Sequence, residues 1–175
     1  NYDRLKTRQL FENYMDNPRM QSLSNVVSNI TDKIIIFAKY TFEIDNIVDM
    51  LESEYGKGSA VRFDGNVSLK QRNQAIEQFK TSARFLVANK TCAGYGLNLQ
   101  FCSYVIFYNN DFDYATRAQA EDRVHRIGQN QNVHIIDICA DNTLDEQILK
   151  CLHRKESLCD NFKSVLKEMN DVAKS

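Results

Sequence analysis

"KIIIFAKYTFEIDNIVDMLESEYGKGSAVRFD", residues 33–64, holds the unit from which the rest of the fold follows. Its first seven residues, "KIIIFAK" (33–39), form a short β-branched run without helical period, the pattern of a strand buried on both faces. In the next segment Ile44, Ile47, Val48 and Leu51 fall at i, i+3, i+4 and i+7, one stripe of an amphipathic helix, and Gly56 and Gly58 can end it. "AVRFD" then reads as strand again. A strand, a helix and a second strand at this spacing predict a crossover unit and a parallel sheet.

The alternation continues outward. Ser68 and Gln71 have the spacing of a capping box ahead of a helix that carries Ile76 and Phe79. "RFLVA" (84–88) reads as a third strand, followed by the glycine-bearing loop "NKTCAGYGLNLQ". "YVIFY" (104–108) is a fourth, "ATRAQAEDRVHRI" a helix, and "NVHIIDIC" (132–139) a fifth strand. A last, largely helical stretch opens on a second capping pair, Thr143 and Glu146. Residues 1 to about 30 also read as helical, interrupted at Pro18. The expected class is α/β, a parallel sheet with helices on both faces in three layers. Such sheets bind ligands at the carboxyl ends of their strands, where Lys39, Arg72 and Lys90 lie close by.

A chain of 175 residues with 43% hydrophobic and 26% charged residues suits one globular domain, and one proline with six glycines leaves little room for a linker. Net charge is near zero, with 22 basic against 23 acidic residues, but its distribution is uneven. Residues 57–90 carry seven bases (Lys57, Arg62, Lys70, Arg72, Lys80, Arg84, Lys90) against Asp64 and Glu77, whereas residues 40–56 hold five acids and no base. The basic stretch is either a solvated face or a surface that tracks phosphates. Five cysteines without a CxxC pair indicate a reducing compartment, hence an intracellular protein, and exclude a disulfide framework or zinc site. His125, His134 and His153 lack metal-ligand spacing. No run approaches membrane-spanning length and no signal peptide is visible, so no membrane partner is expected. A first residue Asn1 in place of Met suggests a piece of a longer chain.

"QAEDRVHRIGQ" (119–129) raises a sharper question. On a helix over 116–127, Ala120, Val124 and Ile127 can face the sheet, while Gln119, Arg123 and Arg126 share another stripe. Guanidiniums are permanently charged planar forks that match phosphate oxygens. Pairing with Glu121, Asp122, Asp111 or Asp113 would also account for them, as surface pairs worth ~0.3–0.5 kcal/mol. Spacing alone leaves both accounts open.

The same block resembles motif VI of the superfamily 2 helicase-like ATPases, in the form typical of Swi/Snf-like double-stranded DNA translocases. Two more blocks resemble the family in the same order. "TCAGYGLNLQFCSYVIFYNNDFDYATRAQAEDR" is similar to motif V and the segment leading into motif VI, and "KIIIFAKYTFEIDNIVDMLE" with "RFDGNVSLKQRNQAIEQFK" to the motif IV region with its Ser-x-x-x-Arg pattern, Ser68 and Arg72. The resemblance covers roughly residues 33–150. It implies the second RecA-like domain of a two-domain motor, with ATP and Mg2+ held mainly by an N-terminal RecA-like domain of the same parent chain. Arg126 would be the principal arginine finger, Arg123 the second phosphate-facing arginine, and Gln119 an organiser of the cleft. Gly94, Gly96 and Asn98 would couple the ATP cleft to the tracked strand, and Lys39, Arg72, Lys90 and Thr91 would touch the phosphates of double-stranded DNA. The domains expected are a helical lead-in at 1–32, the RecA-like domain at 33–155 and a helical extension at 156–175.

Two departures from the family stand out: Ala93-Gly94 replaces a glycine pair, and Phe112-Asp113-Tyr114 stands where Trp-Asn-Pro is common. They suggest a bacterial, phage or mobile-element branch, cytoplasmic in that case and nuclear in a eukaryote. No GxxxxGK[ST] loop and no DExx box is found, so the chain by itself is expected to be inactive. Half of a strand-separating helicase, or an interaction module derived from a motor half, remain alternatives. A dinucleotide-dependent oxidoreductase is disfavoured because no GxGxxG turn follows the first strand.

Overall fold

The computed structural model describes residues 11, 13–65, 67–95, 99–124 and 132–154. Five strands, β1 (Ile34–Phe37), β2 (Ala60–Phe63), β3 (Phe85–Ala88), β4 (Tyr104–Phe107) and β5 (His134–Asp137), form one sheet in the order β2-β3-β1-β4-β5. Every neighbouring pair is parallel. The α/β expectation therefore holds, and β1 lies at the centre of the sheet, as its unbroken apolar run requires.

Two cores form on opposite faces because side chains alternate along a strand. Ile34 and Ile36 pack with Met20, Leu23 and Val27 of α1 (Pro18–Ser28) and with Ile44, Ile47 and Leu51 of α2 (Thr41–Tyr55). Ile35 and Phe37 pack with Phe79 of α3 (Leu69–Thr81) and with Ala120 of α4 (Tyr114–Asp122). The Phe37 and Phe107 rings stack at 5.2 Å between centroids, a contact worth ~0.5–1.5 kcal/mol beyond its buried area. A further helix, α5 (Leu144–His153), lies along α4 and buries Ile148, Cys151 and Leu152.

Local signals act mostly where the sequence places them. Ser68 Oγ accepts from Gln71 N–H while the Gln71 side chain accepts from Ser68 N–H, closing the capping box of α3. Gly56 and Gly58, at φ +94° and +81°, end α2 in a conformation a side chain would oppose. At α5 the second pair is displaced: Thr143 Oγ1 accepts from Asp145 N–H, but the Glu146 carboxylate accepts from Asn142 N–H.

Three expectations are corrected. Pro18 does not interrupt a helix but begins α1, where its missing N–H costs nothing and Asn17 Oδ1 accepts from Arg19 N–H. Because α1 buries Met20, Leu23 and Val27 against the sheet, it belongs to the same core as β1, and a boundary at residue 33 separates it from the strands it covers. The helix expected over 116–127 ends at Asp122. Val124 N–H bonds Glu121 O in a tightened last turn, and Arg123 O accepts from Leu99 N–H at 3.3 Å. A bond to the preceding loop thus takes up a carbonyl that a continuing helix would use.

Candidate functional site

All five strands end on one edge, and the segments leaving them carry a connected polar cluster. Lys90, which follows β3, is 4% exposed and its Nζ lies 2.7 Å from Asp111 Oδ1. Lys39, which follows β1, reaches the other oxygen of Asp111 at 3.4 Å from a side chain 43% exposed. Two ammonium groups thus share one carboxylate, with Asp113 also within electrostatic reach of Lys90, and Lys39 is the more exposed of the two lysines. Burial opposes ionisation of Asp111, but the Lys90 hydrogen bond and charge, with help from Lys39, hold its carboxyl below the usual carboxylate range.

Amides set the spacing of these loops. Asn109 Oδ1 accepts from Lys39 N–H and its Nδ2 donates to both oxygens of Glu43. Burial raises the Glu43 carboxyl in spite of those bonds. Asn89 Nδ2 donates to Lys39 O, and Asn89 Oδ1 accepts from both the N–H and the hydroxyl of Thr91. Thr91 is exposed and opens the 3-10 turn region Lys90–Tyr95, which also contains the backbone of Gly94. Gly96 and Asn98 lie outside the described residues.

Several bases of the stretch are engaged by acids, carbonyls or rings of the protein itself. Arg62 pairs with Asp64 at 2.6 Å and with Asp45, joining the basic stretch to the acidic one. Arg72 donates from Nε to Asp64 O at 3.0 Å and lies over the Phe63 ring, pinning the turn between β2 and α3. Arg84 bonds the carbonyls of Val27 and Ile30 and lies between the Tyr55 and Phe85 rings. Lys80 pairs with Glu77. Lys90 is buried, and freeing its ammonium for a phosphate would cost Asp111 its closer partner and leave Lys39 at 3.4 Å. Of the four residues expected at phosphates, Lys39 and Thr91 have the open placement that contact requires.

On α4, Gln119 is exposed and Arg123 is the C-terminal cap. The Arg123 side chain is half-buried, and its Nε is buried with no hydrogen-bond partner among the described residues. An uncompensated donor of that kind is costly unless something meets it. Arg126 lies outside the described residues.

Sequence reasoning missed Arg117. Only 6% exposed, it donates to Asn110 Oδ1 at 2.8 Å, to both oxygens of Asp137 at 2.5 and 3.1 Å, and to Glu121 at 2.5 Å. Its guanidinium carbon sits 3.5 Å from the centroid of the Phe107 ring, and Asn110 Nδ2 donates to Asp137 in turn. This one side chain fastens α4 to the ends of β4 and β5. Asp145-Glu146-Gln147-Ile148 has the letters of a DExx string but stands at the entry of α5. Its acids serve as helix-entry acceptors, Asp145 for Arg19 and Ala140 N–H and Glu146 for Asn142 N–H.

With this geometry in view, residues 18–128 match the family model of the helicase conserved C-terminal domain. The chain is 35% identical over 130 residues to the DNA repair protein rad8 of Schizosaccharomyces pombe, covering 73% of this chain and 11% of rad8. It is 30% identical over 153 residues to the ATP-dependent helicase fft1 of the same yeast, covering 83% of this chain and 16% of fft1. Among solved structures, the C-terminal part of the Fun30 ATPase domain superimposes with a TM-score of 0.71 at 25% identity, covering 80% of this chain and 46% of that one. The Sulfolobus solfataricus SWI2/SNF2 ATPase core domain does so with a TM-score of 0.61 at 31% identity, covering 79% and 28%. The chain therefore spans a small part of the length of these curated relatives. Both relatives are eukaryotic proteins. Among the described residues, no helix is long and apolar enough to cross a membrane.

Proposed function

Since the chain belongs to the helicase conserved C-terminal domain family, with Swi/Snf-like helicases as its relatives, we propose that it is the second motor domain of an ATP-dependent double-stranded DNA translocase. The ATP and Mg2+ are held mainly by a first RecA-like domain of the parent protein. Arg126 acts as the principal arginine finger, Arg123 as the second phosphate-facing arginine, and Gln119 organises the closed cleft. The eukaryotic relatives favour a nuclear protein.

The observation that carries this reading is the buried, unpartnered Nε of Arg123 at the end of α4, inside the block that resembles motif VI. A buried donor left unused there suits a helix end that rearranges when an anionic group is brought by another domain. The bound nucleotide supplies the phosphoryl group whose transfer develops negative charge. Arginines arriving from a separate domain stabilise that charge, an effect worth ~10³–10⁵ in rate where it has been measured, and they tie hydrolysis to domain closure. On the DNA side, Lys39 and Thr91 contact backbone phosphates, and Gly94, Gly96 and Asn98 couple that contact to the ATP cleft. Contacts of this kind are salt-sensitive and largely independent of sequence.

The test is ATP hydrolysis by the parent protein with and without duplex DNA, comparing the native sequence with Arg126→Ala and Arg123→Ala. Duplex DNA should stimulate turnover, and either substitution should abolish most of it while nucleotide still binds. Turnover that is absent, or indifferent to both arginines, would leave an interaction module derived from a motor half as the better reading. Stronger stimulation by single strands than by duplex would favour a strand-separating helicase.

A further inference from the structure

Two of the most exposed large side chains in the described structure lie side by side on the strand-end edge. Tyr40 is 49% exposed and Phe42 is 53% exposed. Their rings stack at 5.7 Å with only 15° between planes. Lys39 extends its ammonium to 5.6 Å from the Tyr40 ring centroid. Neither ring belongs to either hydrophobic core. The phenylalanines of the strands, Phe37, Phe63, Phe85 and Phe107, are buried, whereas Phe42 in the first turn of α2 and its neighbour Tyr40 leave about half of their surface in water.

The surroundings say what chemistry would use it. The three residues follow β1, the central strand, on the edge where parallel sheets receive ligands. Lys39 shares the Asp111 carboxylate with the buried Lys90 and keeps a side chain 43% exposed, so an ammonium stands beside the rings. Thr91 is also exposed, and Asn89 binds both it and the Lys39 carbonyl. Flat aromatic faces beside a cation match a flat aromatic base attached to a phosphate. In fully paired duplex the base faces are stacked on one another and unavailable to the rings, whereas an unpaired base exposes its own.

We propose that Tyr40 and Phe42 form a stacking site for an unpaired nucleobase, with Lys39 taking the adjoining phosphate, so that this edge prefers duplex carrying an unpaired base over fully paired duplex. This rests on the reading of the chain as a DNA-binding motor domain and adds a structural selectivity that phosphate contacts alone do not provide. Stacking on an aromatic side chain is sequence-tolerant, so the preference concerns pairing state and not base identity.

The experiment uses the full chain and two duplexes of equal length, one fully paired and one with a single unpaired 2-aminopurine. Binding is followed by anisotropy and stacking by 2-aminopurine fluorescence. The native chain should favour the unpaired substrate by about five- to a hundredfold, the range of base–aromatic stacking, and quench its fluorescence. Phe42→Ala and Tyr40→Ala should each reduce the preference and the quenching while leaving affinity for the paired duplex unchanged, and Phe42→Trp should retain both. Binding to both duplexes with equal affinity, or a preference that survives both alanine variants, overturns the stacking site and leaves the motor reading standing. Failure to bind either duplex at low salt removes the DNA-binding reading and the stacking site with it.

Discussion

Replacing Arg117 by alanine should be the most damaging single change on α4, although Arg117 is not one of the arginines assigned to phosphate. Its guanidinium is 6% exposed and meets both oxygens of Asp137, Glu121, the Asn110 carbonyl oxygen and the face of Phe107. The substitution leaves the Asp137 carboxylate, whose side chain is 15% exposed, facing only the Asn110 amide. Breaking a buried ion pair by deleting one partner costs about 3–5 kcal/mol, because the survivor keeps its desolvation penalty without its counter-charge. Against a domain stability of about 5–15 kcal/mol that is a large fraction. With a urea slope of about 2 kcal/mol per molar, the unfolding midpoint should fall by roughly 1.5–2.5 M. The paired variant Arg117→Leu with Asp137→Leu should recover much of the loss, since a hydrophobic pair of similar volume removes both charges together. Urea unfolding of the native chain and the two variants, followed by circular dichroism, measures this. A loss below about 1 kcal/mol for Arg117→Ala, in the range of surface pairs, would refute the argument that this network fastens α4 to the sheet.

Lys39 and Lys90 share Asp111 but should behave differently. Lys39→Ala should weaken binding to duplex DNA and lower the salt slope by about 1, as loss of one phosphate contact does. Lys90→Met should leave that slope unchanged and lower the melting temperature, because it removes the closer, buried partner of the Asp111 carboxylate; equal effects on the slope would contradict the assignment. Asp111 should also shape the acid limb of stability. Its folded carboxyl is held below the ordinary value of 3.8, so its contribution is fully present above that value and is lost as pH falls through the lowered one. Asp111→Asn should therefore flatten the fall in urea midpoint below about pH 4. Parallel curves for the native chain and the variant would show that the two lysines do not hold the charge.

What was readable in the sequence was whatever depends on neighbours along the chain. The run at 34–37 and the Ile44, Ile47 and Leu51 stripe predict a buried strand and the helix that covers it, because periodicity is a local property. Ser68 with Gln71 marks the start of α3 for the same reason. Arg117 was not readable: its carboxylate partner Asp137 is 20 positions away and meets it only because β5 pairs beside β4. Arg62 and Asp45 are 17 positions apart and meet across a crossover, so a basic stretch and an acidic stretch that look separate in the chain neutralise each other in the fold. Lys90 reads as a surface base after a strand, and only the approach of Asp111 from the neighbouring loop explains its burial. The end of α4 was misplaced because Val124 continues the apolar stripe, while the carbonyl that stops the helix is bonded from Leu99.

That bond, from Leu99 N–H to Arg123 O, joins the segment that follows the glycine loop directly to the backbone of an arginine assigned to phosphate. Under the motor reading, this bond is one of the contacts through which tension on the loop would reach Arg123, beside the packing of Cys92 and Leu99 with Ala120 and Val124. Because backbone atoms form the link, substituting either residue's side chain alters its strength only indirectly. Mechanical coupling through it would therefore tolerate sequence drift at both positions while the chemistry at the guanidinium would not.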